Sequence, residues 1–117
     1  MLVAEDDPSV RMTIELALMD EGFDIRFAED GKQALHMARS VIPDVLLLDQ
    51  HMPKMSGREV LTELRREGPT SNIAVVVISG SDGPASEWPD ARIVPKPFSP
   101  DYLIKTIRSA LRDQAQT

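Results

Sequence analysis

The sequence predicts an α/β fold, a doubly wound parallel sheet of five strands in the order 2-1-3-4-5 with helices on both faces. Three observations carry that prediction. Two apolar runs, Val45–Leu48 and Ile73–Ile78, show no alternation with polar residues, the pattern of strands buried on both faces in the interior of a parallel sheet. Stretches of helical periodicity separate the strand-like runs, as in chains built from βαβ crossovers. Polar or acidic residues follow directly on three of the strands: Glu5-Asp6 after Ala4, Asp49 after Leu48, and Ser79 after Ile78. Open α/β sheets bind their ligands beyond the carboxyl ends of the strands.

Each element has its own local signals. Leu2-Val3-Ala4 is a short apolar strand that runs into acids. Asp7 is placed to cap the first helix and Pro8 to open it, because a first-turn proline lacks only an N–H that the helix leaves unpaired anyway. Val10, Ile14, Ala17 and Leu18 share one face of that helix, and Gly22 is its expected end. Phe23–Phe27 alternates apolar and polar residues, as a half-buried edge strand does. Asp30-Gly31 starts a second helix with Ala34, Leu35 and Ala38 inward, and Ile42-Pro43-Asp44 breaks it before the third strand, Val45–Asp49. After the turn signals Met52-Pro53 and Ser56-Gly57, a third helix buries Val60, Leu61 and Leu64 and stops at Gly68-Pro69. The fourth strand is Ile73–Ile78. Pro84, Pro89 and Gly83 then argue against a long regular helix between Ser81 and Asp90. Arg92-Ile93-Val94 is a short fifth strand, and Ser99-Pro100 caps and opens a last helix presenting Leu103, Ile104, Ile107, Ala110 and Leu111.

At 117 residues the chain is one domain with a single core, and its 42% hydrophobic and 27% charged residues are those of a globular protein rather than a disordered one. A net charge of −6 argues against a nucleic-acid surface, which needs a basic stripe, so no direct nucleic-acid binding is expected. Absence of cysteine excludes disulfides, thiol catalysis and thiolate metal sites. No apolar segment approaches the roughly 18 residues of a membrane span, so no membrane insertion is expected.

In the 2-1-3-4-5 order, strands one and three are neighbours, which brings Glu5, Asp6 and Asp49 together. Read alone, Glu5-Asp6-Asp7 is an ordinary solvated cap; at the end of a buried strand beside another that ends in Asp, it is a site. Carboxylates so close repel one another unless a cation neutralises them or one takes up a proton. Oxygen ligands without His or Cys suit Mg2+. Ser79 adds a hydroxyl and Lys96 an ammonium, and a cis Lys96-Pro97 peptide would aim the lysine inward. A nucleophilic carboxylate with these neighbours fits in-line phosphoryl transfer to Asp49.

From Met1 to about Arg112 the chain resembles the receiver domain of two-component response regulators. The resemblance rests on Glu5-Asp6, on Asp49 with Met52-Pro53 and Gly57, on Ser79-Gly80, and on Lys96-Pro97-Phe98. It implies a flavodoxin-like domain over residues 1–112, with residues 113–117 as a polar C-terminal tail. It implies that Asp49 accepts a phosphoryl group from a sensor histidine kinase or a histidine phosphotransfer protein in the cytoplasm. Asp6 and Asp49 would then ligate Mg2+ directly, Glu5 through water, and His51 through its backbone carbonyl, with the His51 imidazole turned to solvent. Ser79 would bond the phosphoryl oxygen and Lys96 pair with it. Phosphorylation and hydrolysis would be self-catalysed, making the protein a switch and not a turnover enzyme, either stand-alone or the excised receiver of a larger protein such as a hybrid kinase.

The chain also departs from the family's pattern. Ile93 stands three residues before Lys96, where receivers usually carry an aromatic switch residue, and Pro95 removes a backbone donor beside it. Too few residues join Ser79 to Lys96 for a full fourth helix, which is expected to be shortened or replaced by a loop. Trp88 in that loop would fill the gap or anchor a partner. Two other readings compete: a receiver-like interaction module that is never phosphorylated, and an aspartyl-phosphate phosphatase. The phosphatase needs a second acid where His51 stands, and a cap domain for which the chain has no room.

Overall fold

The computed structural model describes residues 1–50, 52–80, 91–96 and 98–115. In chain order the described elements are β1 (Leu2–Ala4), α1 (Pro8–Leu18), β2 (Arg26–Ala28), α2 (Gly31–Val41), β3 (Val45–Asp49), α3 (Gly57–Arg66), β4 (Ala74–Ser79), β5 (Arg92–Pro95) and α4 (Pro100–Ala115). The five strands form one parallel sheet in the order β2-β1-β3-β4-β5, as the sequence predicts.

The pleat sorts the core into two layers. Leu2, Ala4, Leu46, Leu48, Val75 and Val77 pack with α2 and α3, whereas Val3, Val45, Leu47, Val76, Ile78 and Val94 pack with α1 and α4. Every residue of β3 is buried, which is why its run carries no polar alternation. The helices meet these layers through Ile14 and Leu18, through Ala34, Leu35 and Ala38, through Val60, Leu61 and Leu64, and through Leu103, Ile107 and Ala110. Val10, Ala17, Ile104 and Leu111 lie at the margins, partly buried. The helix starts follow the predicted chemistry. Asp7 accepts the Ser9 N–H and Asp30 the Gln33 N–H, each at 2.8 Å, Ser56 and Glu59 close a reciprocal capping box, and the Ser99 hydroxyl accepts the Tyr102 N–H.

Some boundaries differ from expectation, each for a local reason. Helix α1 ends at Leu18, short of Gly22, because the Glu21 N–H turns back to the Leu18 carbonyl at 3.1 Å and Gly22, at φ +80°, then redirects the chain. Strand β2 is Arg26–Ala28 rather than Phe23–Phe27, because its pairing with β1 begins at Leu2 opposite Arg26 and ends at Ala4 opposite Ala28. Strand β5 runs on through Pro95, which an edge strand tolerates where the missing N–H faces outward. Helix α4 continues past Arg112 to Ala115, and Asp113 pairs with Arg92. Residues 81–90 with Trp88, and with them the expectation of a shortened or missing helix there, His51, the Lys96–Pro97 peptide and the last two residues of the tail lie outside the described residues.

Gly57 joins the fold to the site. A Cβ there would overlap the backbone carbonyl of Asp49, so only glycine lets the first residue of α3 lie against the end of β3. Gly57→Ala is expected to lower stability by about 1–3 kcal/mol, as overpacking against fixed backbone does. Urea denaturation measures this, and an unchanged midpoint would mean that the contact does not constrain the fold.

Candidate functional site

Strands β1 and β3 run side by side with Ala4 opposite Leu48, so the chain leaves the sheet at Glu5 and at Asp49 at adjacent points. The Glu5 N–H still donates to the Ala28 carbonyl at 3.0 Å, which carries the β1 ladder one residue further. Glu5 and Asp49 each stand two residues beyond a side chain of the α1/α4 layer, Val3 and Leu47, so the pleat turns both the same way. One carboxylate oxygen each from Glu5, Asp6 and Asp49 lies within 4.8 Å of the others. Glu5 is 1% and Asp49 4% exposed, whereas Asp6 opens to solvent.

Glu5 is the electrostatically extreme member. Its Oε1 accepts the Asp7 N–H at 3.1 Å, while its Oε2 is buried with no hydrogen-bond partner. Burial first, and the charge of Asp49 beside it, push the Glu5 carboxyl from 4.5 up to about 8, against the opposing pull of the Asp7 N–H and of Lys96. Arg11 donates to the Glu5 carbonyl at 2.9 Å and so ties α1 to the turn that presents both acids. An orphaned buried oxygen in an all-carboxylate cluster, open to solvent at Asp6, fits a small hard divalent cation such as Mg2+.

Lys96 closes the site from the other side. Its N–H donates to the Ser79 carbonyl at 2.7 Å, carrying the β4–β5 pairing to the sheet end, and its Nζ lies 3.1 Å from Asp49 Oδ1. Ser79 is also at the sheet end and 6% exposed, but its hydroxyl engages Gln50 Oε1 at 2.8 Å and the Gly80 carbonyl at 2.9 Å. Among the described residues no hydrogen bond joins Ser79 to Asp49. The structure therefore assembles Glu5, Asp6, Asp49 and Lys96, keeps the Ser79 hydroxyl engaged elsewhere, and leaves the His51 carbonyl outside the described residues. Ile93 packs partly buried in the α2/α3 layer. Sequence reasoning missed Gln50 and Arg11. Their signals were a polar side chain directly after the acid of a buried strand, and an arginine one turn into the helix that follows the acidic pair.

Comparisons with known proteins agree with this geometry. A family model described as the response regulator receiver domain matches residues 1–108. The response regulator MprA of Mycobacterium avium (strain 104) is 34% identical over 96% of this chain and 50% of its own length, and its Mycobacterium tuberculosis (strain ATCC 25177 / H37Ra) counterpart gives the same figures. The chain thus spans about half the length of the curated relatives it matches. Among solved structures, the receiver domain of the Francisella response regulator 1452 superposes with a TM-score of 0.85 at 29% identity, covering 96% of this chain and 95% of that one. NtrX from Brucella abortus, solved in complex with ADP, gives 0.87 at 29% identity, covering 98% of this chain and 27% of that one. With acids grouped at the ends of β1 and β3, a lysine beside them and a matching family over nearly all of its length, the chain belongs to the response regulator receiver domains of two-component systems.

Proposed function

We propose that Asp49 is the phosphoacceptor of a signalling switch, charged by the phosphohistidine of a sensor kinase or a histidine phosphotransfer protein in the cytoplasm. The observation that carries this reading is a nearly buried carboxylate held 3.1 Å from an ammonium and grouped with two further acids at the carboxyl ends of parallel strands. An Asp49 oxygen attacks the phosphorus in line with the leaving imidazole, the P–N bond breaks as the P–O bond forms, and the product is an aspartyl phosphate, a mixed anhydride. Lys96 stays paired with the charge that grows on the transferred group. Glu5, Asp6, Asp49 and the His51 backbone carbonyl are the groups that would hold Mg2+, which when bound neutralises phosphoryl charge. Ser79 is the hydroxyl donor to the phosphoryl group once it is in place. Residues 1–112 constitute the receiver, and its only turnover is loss of its own phosphoryl group to water.

Acetyl phosphate with Mg2+ is expected to add one phosphoryl group to the wild-type chain, read by intact mass, and none to Asp49→Asn. No gain in the wild type would favour an interaction module that is never phosphorylated.

A further inference from the structure

We propose that Gln50 is a latch on Ser79: it holds the hydroxyl proton away from Asp49 and so sets how readily the phosphorylated form is stabilised. This rests on the reading of Ser79 as the donor to the phosphoryl group. The pleat supplies the geometry. Asp49 pairs in register with Ile78, and its side chain follows Val45 and Leu47 toward the α1/α4 layer. Ser79 follows Val75 and Val77 toward the opposite layer, and Gln50, one past Asp49, turns the same way as Ser79. The two side chains meet there, with the Ser79 hydroxyl donating to Gln50 Oε1 at 2.8 Å. The Gln50 backbone is fixed, because its N–H donates to the Ile78 carbonyl at 3.2 Å and its carbonyl accepts the Gly57 N–H at 3.1 Å, so the side chain starts from a set point beside Ser79.

The chemistry of the latch is a matter of one proton. A serine hydroxyl carries a single hydrogen, so it donates to the Gln50 amide oxygen, to the Gly80 carbonyl, or to a phosphoryl oxygen, but to only one at a time. A phosphoryl group on Asp49 therefore has to win the proton from Gln50. In β5, Ile93 presents an apolar side chain and takes no part in this competition.

A beryllofluoride titration at saturating Mg2+, followed by thermal stabilisation, tests the latch in the wild type, Gln50→Met, Ser79→Ala and the double variant. Gln50→Met is expected to bind the mimic roughly two- to five-fold more tightly, the worth of one neutral hydrogen bond with the Gly80 carbonyl still competing. Ser79→Ala is expected to bind more weakly than wild type, and Gln50→Met is expected to add nothing in its background. Gln50→Leu repeats the measurement with a second apolar side chain. If Ser79→Ala weakens binding while Gln50→Met leaves it unchanged, the latch is wrong and the role of Ser79 stands. Weaker binding by Gln50→Met would also overturn it, since the amide would then be donating through Nε2 to the hydroxyl and supporting it. The same tightening with and without Ser79 would show that Gln50 acts on something else. Wild-type affinity in Ser79→Ala would remove the role of Ser79 and the latch with it.

Discussion

Lys96→Met is expected to slow phosphorylation of Asp49 by about 10²–10³-fold, the usual effect of deleting one preorganised charge that faces a developing anion. The expectation comes from position. Lys96 Nζ already sits 3.1 Å from Asp49 Oδ1, with its side chain 34% exposed, so it meets the transferred group without rearranging. Met keeps the length and apolar stem and removes only the charge. The same change leaves Asp49 buried beside Glu5 without its cation, so a loss of stability accompanies the loss of rate. That loss should fall well short of the about 3–5 kcal/mol of a fully buried pair, because water reaches the lysine. The rate is read from mass spectra over time with acetyl phosphate and Mg2+. A rate close to that of the wild type would reduce Lys96–Asp49 to a structural ion pair.

Without divalent cations, stability is expected to fall as pH rises from about 4.5 to about 8, with Glu5 responsible for a substantial part of the change. The folded Glu5 carboxyl is pushed up to about 8 from 4.5, by burial above all and by Asp49 next. Across that window the folded chain keeps a proton that the unfolded chain has released, so raising the pH favours unfolding. Below about 4.5 both states hold the proton and above about 8 neither does, so the Glu5 contribution levels off at both ends. Mg2+ is expected to reverse the preference, since ligation requires the charged carboxylates. Its affinity should therefore climb with pH through the same window, with release of up to one proton per ion bound. Thermal melts in chelator across a pH series, repeated on Glu5→Gln, measure the first effect, and calorimetry in buffers of different ionisation enthalpy measures the second. A Glu5→Gln profile that tracks the wild type would assign the pH dependence to other groups.

Much of this arrangement is legible in the sequence. The runs Val45–Leu48 and Ile73–Ile78 announced interior parallel strands because burial on both faces tolerates no polar alternation. The order 2-1-3-4-5 then brought Glu5 and Asp6 to Asp49. Boundaries were less legible where they depended on partners. Phe23–Phe27 alternates well enough for a strand, yet pairing starts only at Arg26, where β1 supplies a neighbour. Gly22 looked like a helix end, but Glu21 had already turned back to Leu18.

The site divides in the same way. Which acids converge follows from topology, whereas the direction of the Ser79 hydroxyl follows from strand parity and from the length of Gln50, which no motif encodes. Strand parity is readable in principle, since Ser79 is one residue out of phase with Ile78, the partner of Asp49. That one of the converging acids takes up a proton in the absence of a cation is readable from the sequence; that it is Glu5 is not, because the preference arises from its burial first and from Asp49 beside it.

The central claim is that Asp49 carries the phosphoryl group, and borohydride trapping tests it most directly. Reduction of an aspartyl phosphate converts the acyl group to an alcohol, so the modified residue becomes homoserine and the phosphoryl group leaves as phosphate. After treatment with acetyl phosphate and Mg2+, peptide mapping of the reduced protein is expected to find homoserine at position 49 and at no other acid. Homoserine at position 6, the five-carbon alcohol 2-amino-5-hydroxypentanoic acid at position 5, or an unreduced chain that had gained a phosphoryl group would contradict phosphorylation at Asp49.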